Sequence, residues 1–566
     1  MRCDDASDLR GSDRKSNLGA GLPLRLPRYS VRGTTQQNIR SFCELHWGNY
    51  YYTHAVTNSR VTGLNLTIQN MEQHQAAVSH ISDRIQAFHQ TKTPFRLYHG
   101  STNSTRVYKV DRSRMVDTSS LNNVLSVDTE KKTCLVEPNV PMDDLVDQVS
   151  PYGLIPPVVM EFPGITVGGG WAGTAGESSG FKYGFFDCTV NWVEMVLPDG
   201  EVVKASSTEN QELFHAAAGT FGTLGVTTLL ELQLIDATQY VELTYHPATS
   251  IKEGMQIMQS ATQDSTNDFV DGIQFSLDRT IIITGKLTNT VPPNTKIQHF
   301  SRATDPWFYI HVDRATKGEL EPVKYLTPVR DYFFRYDRGA FWTGKYAYKY
   351  FLTPFNRITR WALDYFMHTR VMYHALHASG HSNKYIVQDL LLPNDGAEEF
   401  IKWVDQRFGF YPLWWCPLKH GQAVPMHPKL ANGVYQADEK SVSFLNIGVW
   451  GPGPTDYEEF VKVNRELESK VRELGGIKWL YAQAYYTPDE FWSIYDRKWY
   501  ECVREKYHAT YLPTVYDKVN VDLSVLDKRN QTWSNWLHGK FWNVWPLSGV
   551  YGVVKTLMES DYLLAK

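Results

Sequence analysis

The chain has 566 residues, with 57 lysines and arginines against 61 aspartates and glutamates, and a formal charge of −4. This length exceeds what one hydrophobic core supports, so we expect a globular protein of two or more domains. The near balance of charge excludes a nucleic-acid-binding surface. The six cysteines lack metal-ligand spacing, which predicts reduced thiols in an intracellular, cytoplasmic protein. No apolar stretch reaches the roughly 18–20 residues of a transmembrane helix, so no spanning anchor is predicted.

The first predicted element is a helix that follows a polar N-terminal extension. Residues 1–70 are rich in Arg, Ser, Asn and Gly without sustained periodicity, so they are predicted to be poorly ordered. After Met71, apolar residues recur at helical spacing, namely Val78, Ile81, Ile85 and Phe88. This pattern predicts an amphipathic helix that ends before Pro94.

A short strand after Pro94 leads into a loop of small polar residues. Hydroxyls and backbone amides in such a loop suit a diphosphate, and a solvated turn is the alternative. The residues of this loop are Gly100, Ser101, Thr102, Asn103, Ser104 and Thr105. Beyond it, NVLSVDTEKKTCLVEPN predicts a hairpin, and PMDDLVDQV predicts a helix opened by Pro141.

Residues 163–184 read PGITVGGGWAGTAGESSGFKYG, and we predict a loop here rather than a core element. Its glycines lack Cβ atoms where the backbone turns tightly or lies against a ligand, and its amides suit a phosphate. Gly168, Gly170 and Gly173 match the dinucleotide fingerprint GxGxxG, with Asp187 at the distance of its ribose-binding acid. We reject a Rossmann fold because no helix of several turns with an apolar stripe follows.

The next elements complete one α+β unit. A strand pair is predicted around the turn Pro198-Asp199-Gly200, followed by a short helix. A third glycine turn and a long apolar strand then end near Ile235. From there to about Trp479, alternating strands and helices predict a second domain. In its middle, arginines and lysines stand among tyrosines and phenylalanines, and we interpret this pattern as a helical core face whose basic side chains extend to solvent.

The last segment is an aromatic tail. Trp533, Trp536, Trp542 and Trp545 lie close to helical spacing with several aliphatic residues. Such a helix suits the headgroup level of a bilayer, and docking on the protein's own surface is the equal alternative. The sequence therefore predicts at most a peripheral membrane contact.

Three glycine-rich loops in this order resemble the delta(24)-sterol reductase (seladin/diminuto) family, within the vanillyl-alcohol-oxidase-like flavoproteins. The segments that carry the resemblance are TVGGGWAGTAGESSGFKYG, GTLGV, FVDGIQFS, DPWF, YPLWWCPL, LYAQAYYTPDEFW and VYDKV. They extend from about Phe95 to Val519. Residues 1–70 lack the hydrophobic segment with which plant and animal members begin, and the tail after Asn530 has no counterpart in the family pattern.

The resemblance implies an α+β fold in which a PCMH/VAO-type FAD-binding domain precedes an α+β cap (substrate) domain. The implied boundaries are 71–236 for the FAD-binding domain, 237–480 for the cap, 481–529 for a segment that folds back toward the flavin, and 530–566 for the tail. FAD is implied to be non-covalent, because Asn103 stands where covalent attachment needs a histidine. Besides loop 100–105, cofactor binding falls on Thr166, Val167, Gly168, Gly169, Gly170, Gly173, Thr174, Glu177, Lys182, Gly222, Thr223, Leu224, Gly225 and Val226.

The family's reaction is reduction of the 24(25) side-chain double bond of a sterol, with NADPH reducing the flavin. An isolated alkene accepts hydride poorly, so a proton donor must act in a water-poor pocket. The candidate donors are Tyr481 and Tyr485, then Glu490 and Asp271. Candidate substrate contacts are Phe275, Trp307, Trp414 and Trp415; for each single residue, ordinary core packing is the alternative.

Two other functions remain open from the sequence. The same fold could oxidise a small alcohol or secondary metabolite with oxygen, or the chain could be a non-enzymatic, sterol-responsive interaction protein. A sterol and another prenylated or terpenoid alkene would fit the same kind of pocket. Peripheral association with the endoplasmic reticulum membrane follows from the resemblance together with the tail.

Overall fold

The computed structural model describes residues 59–99, 106, 111–293, 295–419, 442–521 and 544–558. The chain divides into two units, residues 1–62 and 63–566, and apart from the start of one helix the described residues all lie in the second. The predictions for residues 1–58, for loop 100–105 and for Trp533, Trp536 and Trp542 lie outside the described residues.

The first helix spans Ser59–Gln90. Its predicted apolar face is confirmed, because Val78, Ile81, Ile85 and Phe88 are at most 7% exposed. The helix begins earlier than predicted, within the segment assigned to a poorly ordered extension. Val61, Leu64 and Ile68 stand at i, i+3 and i+7 in this segment, a helical spacing that the sequence prediction overlooked.

An antiparallel five-stranded sheet is built from the first part of the chain. The predicted hairpin pairs Val124–Asp128 with Thr133–Val136, and the predicted strand pair joins Val190–Val196 to Val202–Ser206 through Gly200 at φ 96°. The long strand Val226–Gln233 lies between the two pairs. An antiparallel sheet cannot be a Rossmann sheet, which is parallel. Two-stranded pairings join Arg96–Tyr98 to Met115–Asp117 and Leu154–Ile155 to Ile235–Asp236.

The second sheet has eight antiparallel strands among the described residues. In order across the sheet they are Val323–Pro328, Tyr240–Ala248, Arg279–Thr288, Phe269–Ser276, Leu413–Lys419, Val442–Pro452, Tyr385–Pro393 and Ile477–Lys478. The strands of FVDGIQFSLDRTIIITGKL pair as a hairpin. With the helices below, these sheets confirm the α+β class.

Helices pack against both sheets and fill the connections. In the first part of the chain they are Met142–Val149, Val167–Gly173, Gly180–Tyr183 and Gln211–Ala217, of which Gly180–Tyr183 packs on the strand Leu413–Lys419 of the second sheet. The later helices are Ile251–Gln263, Phe308–Ala315, Val329–Phe333, Gly344–Tyr350, Arg357–Ala362, Thr369–Ala378, Asn394–Phe408, Tyr457–Glu473, Pro488–Ile494, Arg497–Lys506, Val515–Val519 and Leu547–Met558. Short 3-10 helices are Arg112–Arg114, Ser150–Tyr152, Phe186–Thr189, Asp364–Met367 and His381–Lys384.

The late aromatic block is helical only in part. Pro488–Ile494 and Arg497–Lys506 are helices, as predicted. Residues 480–482 instead form a turn, and residues 483–487 are neither helix nor strand, with a single bridge from Ala484 to Asn520. The arginines and lysines among the aromatic residues of the second domain were predicted to extend to solvent. Arg335 does not, because it is only 1% exposed.

The described tail helix, Leu547–Met558, docks on the helix Thr369–Ala378. Its small residues face the protein: a Cβ on Gly552 would lie 2.7 Å from the carbonyl oxygen of Ala375. Its opposite face leaves Tyr551, Leu557 and Met558 45–80% exposed. None of the helices that the structure describes is both long and apolar enough to cross a bilayer.

The first helix is tied to the five-stranded sheet by a buried histidine. The ring of His74 lies 2.8 Å from Oε1 of Glu137 and 3.1 Å from Oε1 of Glu194. Burial alone would lower the pKa of His74, but the hydrogen bonds to the two glutamates outweigh it and raise the pKa to about 9. The imidazolium therefore stabilises the fold fully below the unfolded-state pKa of 6.5, and this contribution is lost as the pH rises through 9.

We expect His74→Gln to destabilise the protein at pH 6 by on the order of 3 kcal/mol, and by much less at pH 10. Urea unfolding followed by circular dichroism across this range measures the difference. The exposed His80 on the same helix provides the control variant, His80→Gln. Parallel pH profiles for the parent and His74→Gln would contradict the prediction.

Candidate active site

A cavity of about 360 Å³ lies among the glycine-rich segments and the end of the eight-stranded sheet. One wall comes from residues 164–177, a second from the turn 217–227, and a third from side chains of the sheet. The second sheet contributes Asp389, Trp414, Asn446 and Trp450. The structure therefore brings together two of the three glycine segments that the sequence singled out, and loop 100–105 lies outside the described residues.

The glycine stretch 163–184 is more ordered and more buried than predicted. Val167–Gly173 forms a short helix whose N-cap, Thr166, accepts a hydrogen bond from the amide of Gly169 at 3.1 Å. Val167, Trp171 and Phe181 are core residues, at most 7% exposed. The prediction of a loop outside the core is therefore wrong, because packing against the surrounding protein overrides the low helix propensity of glycine.

The glycines of this stretch serve two purposes. A Cβ on Gly168 would lie 2.7 Å from the Cβ of Pro138, and one on Gly170 would collide with Met160, so these glycines allow close packing within the protein. A Cβ on Gly173 would have no neighbour closer than 3.9 Å, so this glycine leaves the cavity wall open. Only part of the stretch therefore suits contact with a ligand.

The third glycine turn shapes the neighbouring wall. Gly222 and Gly225 have φ values of +71° and +143°, which side chains disfavour. Leu224 and Val226, which flank Gly225, also line the cavity. Thr223 does not, because its hydroxyl donates to the carbonyl of Thr220 and accepts from Tyr500.

One group of lining residues is cationic. Arg96, Arg106 and Lys518 line the cavity together with His99. Loss of solvent, with the charges of Arg96 and Arg106, lowers the pKa of Lys518 to about 7. Burial, with Lys518 and Arg106, lowers the pKa of His99 to about 4, so its ring is neutral. An anionic ligand would stabilise the charged form of Lys518.

A second group of lining residues is acidic. Glu161 and Glu177 share a hydrogen bond between their carboxyl groups and are at most 6% exposed. Burial, repulsion from Glu161 and that hydrogen bond raise the pKa of Glu177 well above its ordinary value. Two adjacent buried carboxyls hold a proton more strongly than exposed glutamates do, although Arg335, 3.4 Å from Oε1 of Glu161, opposes this in part.

The third polar element is a phenol–carboxylate pair. The hydroxyl of Tyr481 donates to Oδ2 of Asp389 at 2.6 Å, and both residues line the cavity. Burial and the charge of Asp389 raise the pKa of Tyr481 well above its usual range. This phenol is therefore a much weaker acid than a neutral glutamic acid.

Aromatic rings form the wall beside these acids. Phe341 packs against Trp414 and Trp450 with ring centroids 5.3 and 5.1 Å apart, and Tyr373 adjoins through Phe162. The indole of Trp414 donates to Asp271 at 3.2 Å. The acidic side of the cavity is thus also its apolar side.

The predicted cofactor residues divide between the cavity and its support. Those that line it are Thr166, Gly168, Gly169, Gly173, Glu177, Gly222, Leu224, Gly225 and Val226. Val167, Gly170, Thr174 and Thr223 are buried behind it. Lys182 lies apart from the lining and forms an ion pair with Asp268 at 2.7 Å.

The predicted catalytic and substrate residues divide in the same way. Tyr481 and Trp414 line the cavity. Asp271 lies behind Trp414 and is held by Arg335 and Tyr336. Tyr485 is buried outside the cavity lining and donates its hydroxyl to Gln483, and Glu490 closes the capping box of the helix Pro488–Ile494.

The other substrate candidates are packed elsewhere. Trp415 donates to Gln274 on the opposite side of its strand, and Trp307 packs on Gly339. Phe275 lies under the guanidinium of Arg279. None of the three lines the cavity.

Sequence reasoning missed several lining residues. Glu161, Asp389 and Lys518 were not singled out. The available indication was a lone acid inside an apolar run, as in VVMEFPG and IVQDLLLP. Such an acid is expensive to bury unless it has a partner or a function.

Comparison with known proteins identifies the family. A family model described as an FAD binding domain matches residues 76–206. The delta(24)-sterol reductase of Homo sapiens is 31% identical over 426 residues, which cover 74% of this chain and 80% of the human protein. That of Arabidopsis thaliana is 30% identical over 444 residues, 72% of this chain and 77% of the plant protein. The delta(24)-sterol reductase homologue of Caenorhabditis elegans is 27% identical over 472 residues, 79% and 87% of the two chains.

These matches confirm the resemblance drawn from the glycine segments. The fold is α+β, with a PCMH-type FAD-binding domain followed by an α+β cap domain. The domain boundaries given above stay predictions. The chain belongs to the delta(24)-sterol reductase family of FAD-dependent oxidoreductases.

Proposed function

We propose that the protein reduces the 24(25) side-chain double bond of a sterol or sterol-like terpenoid, with NADPH as the source of hydride. The observation that carries the proposal is the cavity itself, which places a proton-holding carboxyl pair beside an aromatic wall. The relatives named delta(24)-sterol reductase support the substrate class.

The cavity lining fits an FAD. Two buried polar atoms on the flavin side have no hydrogen-bond partner among the described residues, namely Nδ1 of His99 and Nε1 of Trp171. Unpaired buried polar groups are costly, so a polar ligand that meets them would stabilise the site. The cations Arg96, Arg106 and Lys518 suit a diphosphate.

We assign binding of FAD to the backbone of residues 166–173 and 222–226 and to the cationic side chains. Loop 100–105 stays a prediction of diphosphate binding, and a non-covalent FAD stays a prediction too. When bound, FAD supplies the hydride exchange between NADPH and the double bond. The protein's own residues orient the alkene and provide the proton.

We assign the proton to the Glu161–Glu177 pair. A donor acts best when its pKa lies near the working pH, and burial moves the pKa of a carboxyl up toward that range while it moves the pKa of the Tyr481 phenol further above it. Glu177 would release its proton to one carbon of the double bond. Glu161, which is hydrogen-bonded to Glu177, would keep the carboxyl of Glu177 oriented for this transfer. The rings of Phe341, Trp414 and Trp450 would exclude water during this step.

Peripheral membrane contact also belongs to the proposal. The described tail helix combines the two alternatives left open by the sequence. It docks on Thr369–Ala378, and it leaves an apolar face exposed that includes Tyr551 and Leu557. That face supports association with a lipid surface.

The test is anaerobic. NADPH is expected to bleach the flavin of the purified protein, and a delta-24 sterol is expected to restore its colour, with a product two hydrogens heavier by mass spectrometry. Rapid reoxidation by air combined with indifference to NADPH would favour an alcohol oxidase. A protein that purifies without flavin and does not take it up would favour an interaction protein.

A further inference from the structure

A second cavity, of about 460 Å³, lies beneath the C-terminal helix. Its volume falls in the range of roughly 300–1,000 Å³ that is typical of small-molecule sites. The helices Gly344–Tyr350, Thr369–Ala378 and Leu547–Met558 form most of its walls. Its lining is mainly aliphatic and aromatic, so the occupant that it favours is apolar.

The second cavity adjoins the first. Tyr373 and Trp450 line both cavities, and the same two rings pack around Phe162 in the wall of the first. An elongated molecule in the second cavity would therefore meet the first cavity, which the carboxyl pair lines, at the end nearest Tyr373 and Trp450. The other end would lie toward the C-terminal helix.

The lining of the second cavity also includes a histidine that is hydrogen-bonded to a serine behind the lining. Nε2 of His381, which lines the cavity, lies 3.1 Å from Oγ of Ser548 on the C-terminal helix. Burial, with the charge of Lys384, lowers the pKa of His381 to about 4, so the ring is neutral. A neutral imidazole beside a hydroxyl can donate to or accept from an alcohol, and it offers no counter-charge to an acid.

We propose that the second cavity binds the ring body of the sterol, with its ring hydroxyl at the His381–Ser548 pair and its side chain passing Tyr373 and Trp450 toward Glu177. A sterol has this form: a rigid apolar body, one hydroxyl at one end and the alkene-bearing side chain at the other. This inference rests on the proposed function for the substrate class. It adds a binding site to which the C-terminal helix contributes a wall.

Cavity-filling variants test the site by binding rather than by turnover. Equilibrium dialysis of the FAD-loaded protein with a radiolabelled sterol whose side chain is saturated measures binding without the reaction. Val553→Trp, which fills the cavity from the C-terminal helix, is expected to weaken binding at least about tenfold, the scale of a steric mismatch in an apolar pocket. Val371→Trp fills it from the opposite helix and is expected to do the same.

Met558→Trp is the matched control, because Met558 is 80% exposed on the same helix and does not line the cavity. Flavin content and melting temperature identify any variant that fails to fold. Parent-like sterol binding by folded Val553→Trp and Val371→Trp would overturn the inference. Binding without reduction by the parent would instead overturn the proposed function and leave the site in place.

The hydroxyl end has its own test. The parent is expected to bind the free sterol severalfold more tightly than its methyl ether, by about the strength of one neutral hydrogen bond. His381→Leu is expected to remove this preference, and its flavin content and melting temperature check that it folds. A preference that survives His381→Leu, or that is absent from the parent, would overturn the assignment of the hydroxyl.

Discussion

Replacing Glu177 with glutamine is expected to lower the rate of sterol reduction by about 10²–10⁴-fold, the usual contribution of a positioned proton donor. Glutamine keeps the size of the side chain but cannot release a proton to carbon. Flavin content and the rate at which NADPH bleaches the flavin are expected to stay near the parent values. Stopped-flow measurement of the two half-reactions separates these effects.

The pH profile distinguishes a donor from a merely structural residue. The proposed proton transfer requires a neutral Glu177, so the rate of sterol reduction should fall as the pH rises through its pKa. Burial raises that pKa first, and repulsion from Glu161 raises it further. Glu161→Gln removes the repulsion, so the fall should move to lower pH.

Two further variants make the assignment decisive. Glu490→Gln changes an acid in the capping box of Pro488–Ile494, outside the cavity, and is expected to behave like the parent. Tyr481→Phe is expected to cost less than Glu177→Gln, because the phenol holds its proton tightly. An inactive Tyr481→Phe beside an active Glu177→Gln would transfer the role of donor to the phenol.

Local sequence patterns correctly predicted the elements that depend on residues close to one another in the chain. The apolar repeat of Val78, Ile81, Ile85 and Phe88 predicted a helical face, and the turn at Gly200 predicted a strand pair. The stretch 163–184 was predicted wrongly as a loop. Its helix Val167–Gly173 depends on contacts with Pro138 and Met160, which a propensity argument does not contain.

The sequence predicted the parts of the site that glycine-rich backbone forms. It did not predict the parts that depend on which way a side chain points. Trp414 and Trp415 are neighbours on one strand, so they face opposite sides of the sheet, and only Trp414 lines the cavity. No pattern in YPLWWCPL distinguishes the two. Asp389 could be recognised as part of the site only through its hydrogen bond with Tyr481, which lies 92 positions away in the chain.

Arg335→Met is expected to destabilise the protein by roughly 3–5 kcal/mol, the cost of breaking a buried ion pair. Nη2 of Arg335 lies 2.8 Å from Oδ2 of Asp271, and the two side chains are at most 1% exposed. The guanidinium also lies over the rings of Tyr332 and Tyr336, at 4.1 and 4.6 Å from their centroids. A lower melting temperature in circular dichroism is the measurement.

The double variant Arg335→Met/Asp271→Asn tests the cause of this loss. Most of the cost should come from the uncompensated carboxylate of Asp271, since methionine retains much of the packing. Asparagine carries no charge, and its oxygen can still accept from Tyr336 and Trp414. The double variant should therefore melt at a higher temperature than the single one. A double variant that is no more stable than Arg335→Met would show that the cost comes from the other contacts of the guanidinium, namely the aromatic rings and the ion pair with Glu161 at 3.4 Å, and not from Asp271.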